Sequence, residues 1–182
     1  MAELTADLFV SLDGFASGVD VGPYFGYGGP ELDKWIHAEL EEPQLVVFGR
    51  RTYEAMAAIT STGTDPMSRR LTALPKLVVT STLSEPLRWA DTRLVSGDAI
   101  DVLPAIKNDS QMPLRTMGSV SLVRNLMIAG LVDRLRLMVF PLTCGDAGRD
   151  PIFGQGELQR YELRQTQVLD TRIVLLEYRT IS

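Results

Sequence analysis

A run of four apolar residues, 45–48, constrains the fold of this chain more than any other feature. It reads Leu-Val-Val-Phe and ends at Gly49, and a helical pattern then begins with Tyr53, Met56 and Ala57. A strand without polar positions is typical of a parallel sheet that is covered on both faces. The run therefore predicts a buried strand that leads through a tight turn into a helix, as in an α/β domain.

Strand patterns and helix patterns alternate along most of the chain. Further strands are predicted at residues 4–12, 76–80, 93–95, 114–117 and 132–140. Between them, helical patterns begin at Pro30, Asp98 and Val120. This order predicts a single α/β domain over residues 1–182, with a mostly parallel sheet and helices on both faces.

Three other segments are predicted to be connections or an edge of the sheet. Residues 18–29 contain several glycines and three aromatic residues, so we expect a loop whose aromatic rings cover a pocket. Residues 60–66 are expected to be a polar linker. Residues 162–168 and 172–178 look like two strands of an antiparallel hairpin that turns at Asp170-Thr171.

Composition excludes several classes of protein. The net charge of −5 and the lack of a basic tract argue against a nucleic-acid-binding protein. No apolar run approaches the roughly 20 residues that a membrane helix needs. Cys144 is the single cysteine, so an intrachain disulfide framework is impossible and a reducing cytoplasm is the expected location. The expected partner is a small molecule.

Polar residues suited to phosphate follow the apolar run. Arg50, Arg51 and Thr52 come directly after Gly49, at the start of the predicted helix. A helix N-terminus attracts anions through its free N–H groups and its dipole, and arginine adds a fork of donors that matches phosphate. This motif indicates a nucleotide site, and a ribose 2′-phosphate would favour NADP over NAD. The alternative is an ordinary capped helix with two solvated arginines.

Two more strand ends carry residues compatible with a phosphate or a ribose. Ser81 and Thr82 follow one predicted strand, and Gly118 and Ser119 join another strand to a helix. Each feature alone is also common in turns and helix caps. In open parallel sheets, however, ligands bind beyond the carboxyl ends of the strands, where these residues are expected to meet.

Asp13 is the candidate for catalysis at the end of the first strand. Its carboxylate could orient a substrate, or assist proton transfer if burial changes its pKa. The alternative is a turn aspartate before Gly14. His37 is the single histidine and lies off the apolar face of its helix, so a zinc site of the usual composition is not expected. A nucleotide site without a nucleophile or metal suits hydride transfer.

The order of these motifs resembles the dihydrofolate-reductase-like family. It is most similar to the branch shared with the C-terminal reductase domain of the bifunctional riboflavin-biosynthesis protein. The motifs are residues 11–14 (Ser-Leu-Asp-Gly), 49–54 (Gly-Arg-Arg-Thr-Tyr-Glu), 78–83 (Val-Val-Thr-Ser-Thr-Leu), Gly118-Ser119 with Leu122, 130–133 (Gly-Leu-Val-Asp), Pro141 and Phe153. The resemblance covers nearly the whole chain.

The resemblance implies a three-layer sandwich with a central, mostly parallel mixed sheet of about eight strands, and NADPH lying across the strand ends. Gly49, Arg50, Arg51 and Thr52 match the turn that binds the adenosine-side phosphates, and Ser81 and Thr82 match residues beside the 2′-phosphate. The pyrophosphate-binding residues are matched by Gly118, Ser119, Val120 and Leu122. Asp13 and Gly14 match the start of the loop over the nicotinamide. A homodimer is usual in the riboflavin branch.

These points predict an NADPH-dependent reductase. Hydride would pass to a small heterocyclic, imine or carbonyl substrate, as in 5-amino-6-(5-phosphoribosylamino)uracil reductase or dihydrofolate reductase. Substrate contacts are expected from Tyr24, Phe25, Trp35 and Tyr53, with Asp13 as the catalytic residue. The alternatives are a non-catalytic nucleotide- or ligand-binding protein on the same fold, or a scaffold without a ligand.

Overall fold

An eight-stranded sheet forms the centre of the protein, which was studied as a computed structural model describing residues 1–153 and 158–181. In order across the sheet, its strands are β5 (Thr92–Ser96), β4 (Lys76–Thr80), β3 (Leu45–Gly49), β6 (Leu114–Met117), β1 (Leu4–Ser11), β7 (Arg134–Phe140), β10 (Ile173–Ile181) and β9 (Arg160–Leu169). All neighbouring pairs from β5 to β7 are parallel, and β10 is antiparallel to both of its neighbours. The predicted mostly parallel sheet with an antiparallel C-terminal hairpin is therefore confirmed.

Helices cover both faces of this sheet. They are α1 (Pro30–Glu41), α2 (Arg50–Thr60), α3 (Pro66–Ala73), α4 (Ala99–Asp109) and α5 (Val120–Ile128). The apolar sides of α4 and α5 pack on one face, against Leu4, Ala6 and Leu8 of β1. The other three helices pack on the opposite face, against Val46 and Phe48 of β3 among others. The three-layer arrangement predicted from the family resemblance is thus confirmed.

Strand β3 shows why the apolar run predicted the fold. Val46, Val47 and Phe48 are completely buried, because neighbouring side chains along a strand point to opposite faces and helices cover both. The chain then turns at Gly49 and α2 begins at the next residue. The predicted strand, turn and helix are all present.

A small two-stranded ribbon and one helix were not predicted. The ribbon pairs β2 (Phe15–Gly18) with β8 (Gly148–Pro151). Each strand is four residues long, and the two lie far apart in the sequence. Such short strands carry little hydrophobic pattern of their own, and their pairing with each other stabilises them. Helix α3 begins where the polar linker was expected to end, with Pro66 in its first turn and the Asp65 carboxylate accepting a hydrogen bond from the Ser68 amide at 2.9 Å.

The hairpin turn between β9 and β10 also fixes the start of α1. Both carboxylate oxygens of Asp170 accept hydrogen bonds from the first amides of α1, those of Glu31 and Leu32, at 3.0 Å each. A side chain on Gly29 would not fit, because its Cβ would lie 2.2 Å from the Asp170 carboxyl carbon. A distant aspartate thereby takes the part of the local N-cap residue, and it anchors the end of the aromatic loop.

Candidate functional site

A cavity of about 660 Å³ opens where α2 and α5 begin, at the carboxyl ends of β3 and β6. Its volume lies in the range of small-molecule and cofactor sites. It is lined by Gly49, Arg50, Arg51, Thr52, Glu54, Ala55, Met56, Ser119, Val120, Ser121 and Asp150. Six of the predicted cofactor residues therefore meet in one cavity, namely Gly49, Arg50, Arg51, Thr52, Ser119 and Val120.

Two helix N-termini face this cavity together. Gly49 precedes α2 and Ser119 precedes α5, and neither residue caps its helix with a side-chain hydrogen bond. The Ser119 hydroxyl instead accepts a hydrogen bond from the Gly49 amide at 3.0 Å, which joins the two turns. Backbone N–H groups in the first turn of each helix have no intrahelical acceptor, so two positive helix ends converge on one space.

The turn before α5 has an unusual backbone. Gly118 and Ser119 both have left-handed dihedrals, with φ of +73° and +59°. Glycine adopts this conformation freely, whereas a serine there is strained and needs support from its surroundings. The Gly49–Ser119 hydrogen bond supplies part of that support. Strain of this kind often accompanies ligand-binding turns.

Both arginines of the motif remain available to a ligand. Arg50 lies 3.8 Å from Glu54 one helical turn later, and Arg51 lies 3.8 Å from Asp150 of β8. The Arg51 side chain is 79% exposed, and ion pairs this long and exposed contribute little to stability. A phosphate could therefore engage either guanidinium by competing with its present carboxylate partner.

The other predicted cofactor residues do not line the cavity. Ser81 and Thr82 are exposed in a turn after β4, where the Thr80 hydroxyl accepts a hydrogen bond from the Thr82 amide at 3.1 Å. They lie at the same edge of the sheet, because β4 is the parallel neighbour of β3. Leu122 is buried in the core against β1, so its contribution to a ligand is limited to its backbone.

Asp13 holds a loop in place. Its carboxylate accepts hydrogen bonds from the Ser11 hydroxyl at 2.6 Å and from the amides of Cys144 and Gly145 at 3.0 and 2.8 Å. The Ser11 hydroxyl and these two amides lower the pKa of Asp13 to about 2. A carboxylate that is exposed, ionised and engaged in this way is poorly suited to relay protons near neutral pH. The structure therefore does not favour proton transfer by Asp13, and its expected role in orienting a substrate stays a prediction. Gly14 follows it in the same turn and binds Ile152 through its carbonyl oxygen.

We expect replacement of Asp13 by asparagine to lower stability near pH 7 but not in strong acid. The native pKa of about 2 lies below the ordinary value of 3.8, so the ionised carboxylate stabilises the fold above that value. This stabilisation is lost as the pH falls from about 4 towards 2. Urea unfolding at several pH values tests it, with the exposed Asp20→Asn as the matched control. An Asp13 effect that persists unchanged at pH 2 would contradict it.

Two aromatic candidates from the loop have different surroundings. Phe25 is buried, and its ring lies 5.3 Å from that of Phe140, so it anchors the loop in the core. Tyr24 is half-buried, with its ring 5.4 Å from that of Phe9. Burial and the charge of Asp33 raise the pKa of the Tyr24 hydroxyl, which therefore stays protonated. Both loop residues have φ of +53°, a costly conformation for aromatic residues.

The remaining two substrate candidates are engaged elsewhere. Tyr53 is buried, and its hydroxyl accepts hydrogen bonds from the amides of Arg88 and Trp89 at 3.1 and 3.3 Å. This is a correction to its expected substrate role, because the ring belongs to the core between α2 and the sheet. Trp35 is half-buried and covers two guanidinium groups, those of Arg136 at 5.1 Å and Arg115 at 5.7 Å.

Those two arginines belong to a cluster of four charged residues that we did not predict, of which three are buried and Glu39 is partly exposed. Asp7 of β1 accepts hydrogen bonds from Nε of Arg115 and Nε of Arg136, each at 2.6 Å. Glu39 of α1 binds the same guanidinium groups at 3.1 and 2.7 Å. Burial alone would lower the pKa of Arg136, but the carboxylates of Asp7 and Glu39 outweigh it and raise that pKa. The available signal was a charged residue in the interior of each of three strands, β1, β6 and β7.

Asp150 is the second feature that sequence reasoning missed. It lies a hundred positions after Arg50 and reaches the cavity because β8 runs beside α5. No local pattern identifies it. Within residues 1–153 and 158–181 there is no cluster of three or more His, Cys, Asp or Glu residues that could hold a metal ion. In the same part of the chain, no helix is long and apolar enough to cross a membrane.

Comparison with protein families gives one clear result. The family described as the RibD C-terminal domain matches residues 2–175, which is nearly the whole chain. No curated protein matches the sequence.

Solved structures share the fold at low sequence identity. A provisionally named riboflavin biosynthesis protein from Shewanella sp. PV-4 is 20% identical, with a TM-score of 0.73 and complete coverage of both chains. A pyrimidine reductase-like protein from Corynebacterium diphtheriae is 14% identical, with a TM-score of 0.71, over 100% of this chain and 92% of its own. Dihydrofolate reductase from Enterococcus faecalis is 15% identical, with a TM-score of 0.67, and the match covers 99% of this chain and 97% of the reductase. At these identities the likenesses show the fold alone.

Proposed function

Because this chain belongs to the RibD C-terminal domain family, we propose that it is an NADPH-dependent reductase. Its family and its fold support an oxidoreductase. The finer parts of the proposal are the cofactor and the substrate. The substrate is a small heterocyclic, imine or carbonyl compound, similar to 5-amino-6-(5-phosphoribosylamino)uracil or dihydrofolate.

The observation that carries the cofactor proposal is the convergence of two helix N-termini and two arginines on one cavity. The first-turn amides of α2 and α5 suit the pyrophosphate, and Arg50 and Arg51 suit further phosphate charge. The dihydrofolate reductase of the same fold is complexed with NADP(H), which agrees with this donor set. When bound, NADPH supplies the hydride, so the chain needs no nucleophile of its own.

The chain's own residues bind the cofactor and the substrate, orient them and cover them. The loop that carries Tyr24 packs on Phe9 of β1. Strand β1 is the neighbour of β6, whose carboxyl end lies at the cavity. Aromatic rings of this kind suit a flat heterocycle, because ring stacking adds about 0.5–1.5 kcal/mol beyond burial. Asp13 keeps the neighbouring segment around Cys144 in place through the amides that it binds.

Thermal unfolding with NADPH, followed by a turnover assay, tests this proposal. A ligand that binds only the native state must raise the melting temperature, and about 100 Kd of ligand adds about 2.7 kcal/mol of stability. We expect NADPH to raise it and to be oxidised with at least one compound from a panel of pyrimidines, pterins and cyclic imines. If saturating NADPH leaves the melting temperature unchanged, the cofactor assignment is wrong.

A second candidate function is a nucleotide-binding protein without catalysis. The observation in its favour is Asp13, the predicted catalytic residue, whose carboxylate is fully engaged by Ser11 and two backbone amides. In the same assay, a raised melting temperature with no oxidation of NADPH by any compound in the panel would support this candidate.

We further propose that the protein is a cytoplasmic homodimer. Strand β9 forms one edge of the sheet and is ten residues long, with almost all of its side chains exposed. An edge strand presents unpaired N–H and C=O groups to which a strand from a second copy can add. The molecular mass in solution tests this part of the proposal, and a monomer at all concentrations would contradict it.

A further inference from the structure

The cavity between α2 and α5 contains a carboxylate from a distant part of the chain. Oδ1 of Asp150 lies 3.8 Å from the Arg51 guanidinium, and Oδ2 accepts a hydrogen bond from the Ser17 hydroxyl at 2.9 Å. The residue lies in β8 and lines the cavity beside the start of α5. A negative charge is unexpected in a space where two helix N-termini favour anions.

The backbone around this carboxylate is held on two sides. Asp150 has a left-handed backbone with φ of +55°, and the ribbon of β2 and β8 fixes the strand on one side. On the other side, Arg124 of α5 donates a hydrogen bond to the Pro151 carbonyl oxygen at 3.0 Å, and Ile152 is buried in the core. The backbone of Asp150 is therefore fixed, and the side chain, which is 39% exposed, is held by the hydrogen bond from Ser17.

The other acidic group in the cavity differs in this respect. Glu54 lies on α2 one turn after Arg50, and its side chain is 48% exposed, so it can turn towards water when a ligand arrives. Arg51 is also free to move, since its side chain is 79% exposed. Of these three charged groups, Asp150 is the least exposed, and a hydrogen bond from Ser17 of β2 holds its side chain.

The side chains of the cavity carry no net charge. Arg50 and Arg51 are balanced by Glu54 and Asp150, so the attraction for an anion comes mainly from the helix ends. A phosphate that binds Arg51 competes with the Asp150 carboxylate for this guanidinium. The same phosphate then lies near a fixed negative charge, and two like charges at short range repel each other.

We infer that Asp150 acts as a built-in counter-ion of Arg51 that competes with a ligand phosphate for this guanidinium. It weakens the binding of every anion, so that free phosphate and pyrophosphate bind poorly. A dinucleotide still binds, because the rest of the molecule makes additional contacts. This inference rests on the proposed function for the identity of the dinucleotide, but not for the effect on simple anions.

Titration calorimetry of Asp150→Asn with inorganic pyrophosphate and with NADPH tests the inference. Asparagine keeps the shape and tolerates the left-handed backbone, so the substitution removes the charge alone. We expect both probes to bind at least about threefold more tightly at low salt, with a smaller gain at high salt because exposed charges are screened. In an Arg51→Ala background, the gain should be markedly reduced.

Asp146→Asn is the matched control. It removes one exposed carboxylate from the segment just before β8, outside the residues that line the cavity, and should leave both affinities unchanged. Unchanged or weaker binding of pyrophosphate to Asp150→Asn overturns the inference, and weaker binding of NADPH alone does so as well, because the carboxylate would then accept a hydrogen bond from the ligand. A gain for pyrophosphate without any binding of NADPH supports the inference and rejects the proposed function.

Discussion

Replacing Asp7 with alanine is expected to lower the free energy of unfolding by about 3–5 kcal/mol. Asp7 is buried under α1 and binds two buried guanidinium groups, those of Arg115 and Arg136. Without it, two cations stay in the interior with Glu39 as the remaining carboxylate. Breaking a buried ion pair costs this much because the unmatched charge cannot regain its hydration. Urea unfolding at pH 7 measures the effect.

An exposed ion pair on β9 provides the comparison for this variant. Glu162 lies 2.9 Å from Arg164, and both side chains are about half exposed. Glu162→Ala should therefore cost less than about 1 kcal/mol, because water solvates the remaining arginine. The conservative variant Asp7→Asn keeps the side-chain volume, and its loss in the free energy of unfolding should lie between those of Asp7→Ala and Glu162→Ala. A loss below about 1 kcal/mol for Asp7→Ala would show that the four-charge cluster does not stabilise the fold.

Replacing Arg50 with alanine is expected to weaken NADPH binding by about ten- to one-hundred-fold, which corresponds to the loss of a charge-assisted hydrogen bond of about 1.5–3 kcal/mol. Arg50 lines the cavity at the start of α2, and its present partner, Glu54, is distant and exposed. If Arg50 binds the 2′-phosphate, NADH should lose far less affinity, since it lacks that group. Calorimetry with both cofactors measures the difference.

The exposed Arg164→Ala on β9 is the control for this prediction, because it removes an arginine far from the cavity. Both affinities should then stay as in the original protein. If Arg50→Ala weakens NADPH and NADH equally, Arg50 contacts a part of the cofactor that the two share, and the preference for NADPH must come from another residue.

The structure extends the sequence interpretation most where charges are concerned. Arg50 and Arg51 were recognised because they follow a strand directly and begin a helix, so a local pattern contained their role. Asp7 lies within the predicted strand 4–12, but the sequence does not identify its partners. Arg115 and Arg136 become its neighbours because β6 and β7 lie on either side of β1, an order that spacing along the chain does not reveal.

The aromatic residues show the same limit. Tyr24 and Tyr53 both lie near predicted site motifs, and sequence proximity suggested a substrate role for both. In the fold, Tyr24 lies half-exposed over Phe9, whereas Tyr53 turns into the core beside Trp89. The direction of a side chain on a helix depends on which face packs, and that is decided by the layer above or below it.

By itself, the sequence determined the alternation of strands and helices, the parallel character of β3, the C-terminal hairpin and the helix starts at Gly49 and Ser119. Hydrogen bonding within helices, side-chain periodicity and the backbone freedom of glycine act over a few residues, so these features can be read locally. Only the tertiary structure decided that Asp7 and Glu39 together neutralise two buried arginines, that Asp13 holds a loop, and that Asp150 enters the cavity. Most of these contacts join residues about 100 to 130 positions apart, and their energies exist only after the strand order has brought them together.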